Sequence, residues 1–145
     1  MSNAGLHRML AAAAVMSCLP GNADAAGIRA KADVACQPAA VRLQYDCIVQ
    51  LTNSRTNEPL TGVSLMVGAD MPSMPMMHNV RPVKAMPGQG PGTYQVRLVL
   101  EMHGDWALQL NLSGPVRDRV VTIIRFEADR ATSAAGPKAQ PGYRR

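Results

Sequence analysis

"VRLQYDCIVQL", residues Val41 to Leu51, places Val41, Leu43, Tyr45, Cys47, Val49 and Leu51 on alternate positions across eleven residues, with mostly polar neighbours between them. A period of two is the pattern of a strand with one face in a core. The same period returns along the chain, and turn residues separate each return. After "TNSRTNEP" come Val63, Leu65 and Val67, and a short strand is expected over Val80 to Ala85. After "PGQGPG", Pro87 to Gly92, come Tyr94, Val96, Leu98, Leu100 and Met102; after "HGD", Trp106, Leu108, Leu110 and Leu112; after "SGP", Val120, Thr122, Ile124 and Phe126. No sustained helical period accompanies them. The pattern predicts an all-β protein, an immunoglobulin-like antiparallel β-sandwich of about seven strands.

The flanks read differently. Met9 to Leu19, "MLAAAAVMSCL", follows a basic residue and has the length of a signal-peptide apolar region, too short for a membrane-spanning helix of about 20 residues. Ala23-Asp24-Ala25 supplies a small-x-small cleavage site before Ala26. The expected organisation is a cleaved signal peptide over 1–25, an N-terminal arm over 26–40, the sandwich over 41–128 and a disordered tail over 129–145, with Ala26 to Asp33 also loose. Export to the periplasm follows. "VMSC", Val15 to Cys18, loosely matches a lipoprotein signal, so the alternative is a membrane-anchored lipoprotein through Cys18, and membrane association is expected only in that case.

Cleavage before Ala26 leaves Cys36 and Cys47, an even pair in an oxidising compartment, and a disulfide between them is the default. With a strand starting at Val41, the bridge requires the chain to double sharply through "QPAA". Two thiols open to a metal are the other possibility. The net charge of +5 is scattered, and one Phe, one Trp and three Tyr offer few stacking platforms, so nucleic acid is not an expected partner.

The chemistry concentrates in "MPSMPMMH", Met71 to His78, which has four methionines, two prolines and a histidine in eight positions. Beyond His7, the chain has two histidines, and each follows a methionine: Met77-His78 and Met102-His103. Thioether sulfur is a soft ligand that needs no deprotonation, imidazole is intermediate, and the combination suits copper, Cu(I) above all. Up-and-down strand order brings both Met-His pairs to one end of a sandwich and leaves Met86 near the other. The candidate metal ligands are therefore His78, His103, Met77, Met102, Met76, Met74 and Met71. Opposed to this stands the ordinary role of methionine as core filler, here a plug over one end of the core, or an adaptable protein-binding surface. Trp106 reads as core and "PGQGPG" as a hairpin turn, because no helix follows it.

"YDCIVQLTNSRTNEPLTGVSLMVGADMPSMPMMHNV" and "GPGTYQVRLVLEMHGDWALQLNL", together Tyr45 to Leu112, resemble the YtkA-like domain family, related in outline to FixH-like proteins. The matching pieces are Met71 to His78, the Gly92-Thr93-Tyr94 lead into a strand, and Met102 to Trp106. The resemblance implies an exported or membrane-anchored bacterial β-sandwich associated with copper handling or respiratory-oxidase assembly. A looser likeness is to PCuA(C)-type periplasmic copper chaperones, whose ligand order and spacing differ from those here.

The expectation is a periplasmic Cu(I) chaperone or delivery factor, with a respiratory oxidase assembly factor or copper transporter as partner. The alternative is a non-metal interaction module whose Met-Pro loop docks on a membrane protein or transporter. No enzyme is expected: the chain has no HExxH and no strand-to-helix nucleophile elbow.

Overall fold

The structure, a computed structural model, describes residues 27–133. The expected signal peptide, Cys18 and most of the expected tail lie outside these residues. The described chain forms nine strands and no helix: β1 Ala30–Pro38, β2 Gln44–Asn53, β3 Ser64–Asp70, β4 Asn79–Lys84, β5 Met86–Pro87, β6 Thr93–Val99, β7 Gly104–Ser113, β8 Asp118–Phe126 and β9 Ala131–Ser133. They make two antiparallel sheets, one ordered β1-β2-β6-β5 and the other β4-β3-β7-β8-β9. The protein is the expected all-β sandwich, with nine strands where about seven were predicted.

The alternation seen in sequence is the burial pattern of the strands. Tyr45, Cys47, Val49 and Leu51 of β2, Tyr94, Val96 and Leu98 of β6, and Leu108, Leu110 and Leu112 of β7 point into a shared core with Trp106 and Phe126. Sheets packed face to face bury every second residue of each strand, and this explains why period two decided the fold.

Four boundaries differ from the sequence reading. The arm expected to be loose up to Asp33 instead forms β1, paired with β2 from Ala30 opposite Asn53 to Pro38 opposite Tyr45. Its apolar signal is weak because most of its residues are small or polar; backbone pairing at a sheet edge holds it. At the other end, Ala131–Ser133 adds β9 to the edge of β8 within the span expected to be a tail.

Strand β2 begins at Gln44 and not at Val41, because residues 39–43 are the turn that reverses β1 into β2. Leu43 has φ of 62°, Val41 is exposed, and the Gln44 amide donates to the Val41 carbonyl at 3.1 Å. This reversal is the sharp doubling the disulfide required: Cys36 stands opposite Cys47 and the two are bonded, with Cα atoms 4.0 Å apart. Strand β6, finally, stops at Val99 and not at Met102. After Leu100 the chain must leave one sheet for the other, and the alternation breaks at that crossover.

The hairpin reading of "PGQGPG" holds at atomic detail. Gly92 has φ of 70°, and a Cβ there would lie 2.6 Å from the Leu51 carbonyl oxygen, which only glycine avoids. Tyr94 turns its hydroxyl to the Leu60 carbonyl, donating at 3.0 Å, and accepts the Val63 amide at 3.1 Å. Those family-like residues are structural.

Candidate metal centre

Strand register decides which loops share an end. Gln44 lies opposite Val99, Asp70 opposite Ala107, and Gly104 opposite Phe126. The turn over 39–43, the methionine loop over 71–78, the crossover over 100–103 and the β8–β9 turn over 127–130 therefore form one rim. Both Met-His pairs are on it. Met86, paired with Gln95 near the start of β6, is at the opposite end of that strand.

The prolines that made "MPSMPMMH" awkward as a strand build it as a loop. The Met74 amide donates to the Met71 carbonyl at 3.1 Å and the Met77 amide to the Met74 carbonyl at 3.2 Å, which makes two successive turns with Pro72 and Pro75 at their second positions. Proline pre-sets φ there. In the second turn Met76 takes φ of 68°, a left-handed conformation uncommon for a residue with a Cβ. The Met71 amide closes the loop on the His78 carbonyl at 3.3 Å.

This geometry sorts the methionines. Met71 is 4% exposed and belongs to the core, and Met74 is half-buried against it. These two match the plug reading, and Met71 has no exposed sulfur to offer. Met76 is 91% exposed and Met77 75%, while Met102 at 37% sits at the edge of exposure. Exposed thioethers forgo burial worth about 1.5–3 kcal/mol per side chain.

Of the two imidazoles, His78 is better defined. Its Nδ1 contacts the Glu101 carboxylate, on the crossover next to Met102. His103 turns toward the other side of the rim, lining a cleft of about 310 Å³ with Arg42, Leu43, Tyr45 and Ala128. Glu101 was not among the residues expected at the site. Its position directly before Met102-His103 was visible, but only the topology brings it to His78.

Three contacts fix the crossover. The Trp106 indole donates to the Met102 carbonyl at 3.1 Å, with Trp106 fully buried. Gly104, φ 140°, lets Met71 fill the space beside it: a Cβ there would lie 2.8 Å from the Met71 methyl. Arg125 donates two bonds to Asp105, at 2.7 and 2.8 Å, and these hold the Asp105 carboxyl below its ordinary range. Behind the cleft, the Tyr45 hydroxyl donates to the Glu127 carbonyl at 2.6 Å, and burial raises the phenol above its usual value.

Among the described residues no three His, Cys, Asp or Glu side chains converge. The potential donors on the rim are thioether sulfur, imidazole and the Glu101 carboxylate. A family model described as YtkA-like matches residues 31–111, more than half of the chain. No curated protein and no solved structure matches it.

Proposed function

The chain belongs to the YtkA-like family, and from that premise we propose that it is a periplasmic copper-binding protein that carries Cu(I) for delivery. The observation that carries the reading is the gathering, on one rim, of exposed Met76 and Met77 next to His78, with Met102 and His103 on the adjoining crossover. His78, Met76 and Met77 would hold the ion, with Met102 as a further donor from the crossover, while His103 faces the cleft on the other side of the rim. Neutral thioether and imidazole ligands bind a soft monocation without displacing protons from sulfur. Ligands this exposed exchange readily, and so favour hand-over to a partner above permanent storage. The paired Cys36 and Cys47 accord with an oxidising compartment and, among the described residues, leave methionine as the available sulfur.

Competition between the folded protein and a Cu(I)-specific chelator tests the proposal, using wild type and the His78→Ala/His103→Ala variant. The double variant is expected to hold Cu(I) more weakly. Equal affinity removes these residues from the site. Capture of a membrane partner that depends on Met76 and Met77 but not on copper would favour the docking-module reading instead.

A further inference from the structure

We infer that Glu101 is a positioning residue for the candidate metal centre: it fixes His78 as the Nδ1–H tautomer, which makes Nε2 the coordinating nitrogen. The inference rests on the copper reading for the ligand role of Nε2, but its first half is independent of any metal.

An ionised carboxylate can only accept hydrogen bonds, so a ring nitrogen in contact with one carries the proton. The Nδ1 of His78 is that nitrogen, since it contacts Glu101 Oε2. In a neutral imidazole the other nitrogen, Nε2, then bears the lone pair. Histidine that binds a metal through one nitrogen and donates from the other to a carboxylate is both oriented and made more basic.

The backbone holds this pair in place from two sides. His78 is the last residue of a loop closed by the Met71 amide on its own carbonyl. Glu101 lies between Leu100, whose amide donates to the Leu43 carbonyl at 2.9 Å, and Met102, whose carbonyl accepts the buried Trp106 indole. The His78 side chain is 30% exposed and that of Glu101 55%, so a metal can approach while the contact between them persists. Glu101 also sets one negative charge beside a site whose proposed ligands are all neutral, which balances a monocation. This role is one that neither the methionine pattern nor the Met-His repetition indicated.

The test uses ¹⁵N-labelled protein and Ag(I), a redox-stable soft monocation, with two-bond ¹H–¹⁵N spectra of the imidazoles at mildly alkaline pH. His78 resonances are assigned by their loss in His78→Ala. The expected result is an Nδ1–H tautomer in the wild type, with Ag(I) shifting Nε2 while Nδ1 stays protonated. Glu101→Ala is expected to lose that tautomer preference and to weaken Ag(I) binding about tenfold or more, with an unchanged fold because the residue is exposed. Glu101→Gln keeps an acceptor oxygen and is expected to restore the tautomer. An Nε2–H tautomer in the wild type, an Ag(I) shift at Nδ1, or a Glu101→Ala protein identical in both respects overturns the inference and leaves metal binding at the rim standing. Ag(I) that shifts neither nitrogen of His78 overturns the ligand role of Nε2 together with the copper reading, while the metal-free tautomer still reports whether Glu101 sets the ring.

Discussion

The indole of Trp106 donates to the carbonyl of Met102 across 3.1 Å, so a fully buried core residue holds the backbone of the second Met-His pair. Trp106→Phe leaves that carbonyl without its donor and opens space in the core. The expected cost is about 2 kcal/mol or more. Urea denaturation measures it, and hydrogen exchange at residues 100–103 is expected to accelerate more than at β2.

The loop methionines divide into two classes with opposite signatures. Met71→Ala is expected to destabilise the fold by about 2–5 kcal/mol, because its side chain is buried beside Gly104. Met76→Gly removes an exposed thioether and relieves a left-handed φ, so stability is expected to hold or rise by a few tenths of a kcal/mol while Cu(I) affinity falls. Paired melting and chelator titrations separate the two. If Met76→Gly binds Cu(I) as tightly as the wild type, that sulfur is not a ligand.

Gly104→Ala is expected to cost about 1–3 kcal/mol, from the strain of φ 140° and from crowding against the Met71 methyl. The methyl is the far end of a flexible side chain, but its burial limits retreat. Thermal unfolding should show a lowered Tm that Met71→Ala does not rescue, since most of the cost is in the backbone.

Asp118 ties the start of β1 to β8. Its carboxylate accepts the Ala30 and Arg119 amides, each at 2.8 Å, and an Arg29 bond at 3.4 Å. Burial alone would raise its pKa; those amides and Arg29 outweigh burial and hold it below the ordinary value. A carboxyl whose folded pKa lies below its unfolded one contributes stability above the unfolded value, about 3.9, and loses it as pH falls through the folded value. Asp118→Ala is therefore expected to cost about 1–3 kcal/mol at neutral pH, a penalty that shrinks below about pH 4. Unfolding curves across that range check the sign.

The Cys36–Cys47 bridge closes a short loop, with a sequence separation of 11. Loop-closure entropy assigns such a bridge about 2–3 kcal/mol. A Cys36→Ala/Cys47→Ala protein is expected to unfold at correspondingly lower urea, with the β1–β2 hairpin exchanging fastest.

The sandwich was legible because both its faces bury alternate residues, and runs such as Tyr45 to Leu51 carry that period without interruption. Strand β1 was not, since Ala30, Ala32 and Ala35 give little apolar contrast and an edge strand is held by pairing to its neighbour. Sequence likewise could not tell Met71 from Met76: both are methionines in a proline-rich loop, and only the two turns bury one and expose the other. Strand alternation indicated that His78 and His103 reach the same end of the sandwich, but not that the two imidazoles face apart, His78 to Glu101 and His103 to the cleft beside Arg42. The Glu101 contact depended on side-chain placement across two loops, which no local pattern encodes.

X-ray absorption on the Cu(I)-loaded protein tests the central claim most directly. The account predicts sulfur scattering together with imidazole nitrogen at the metal, with the sulfur component reduced in a Met76→Gly/Met77→Ser protein and the nitrogen component reduced in His78→Ala. A site without sulfur, or one unchanged by these substitutions, would contradict it.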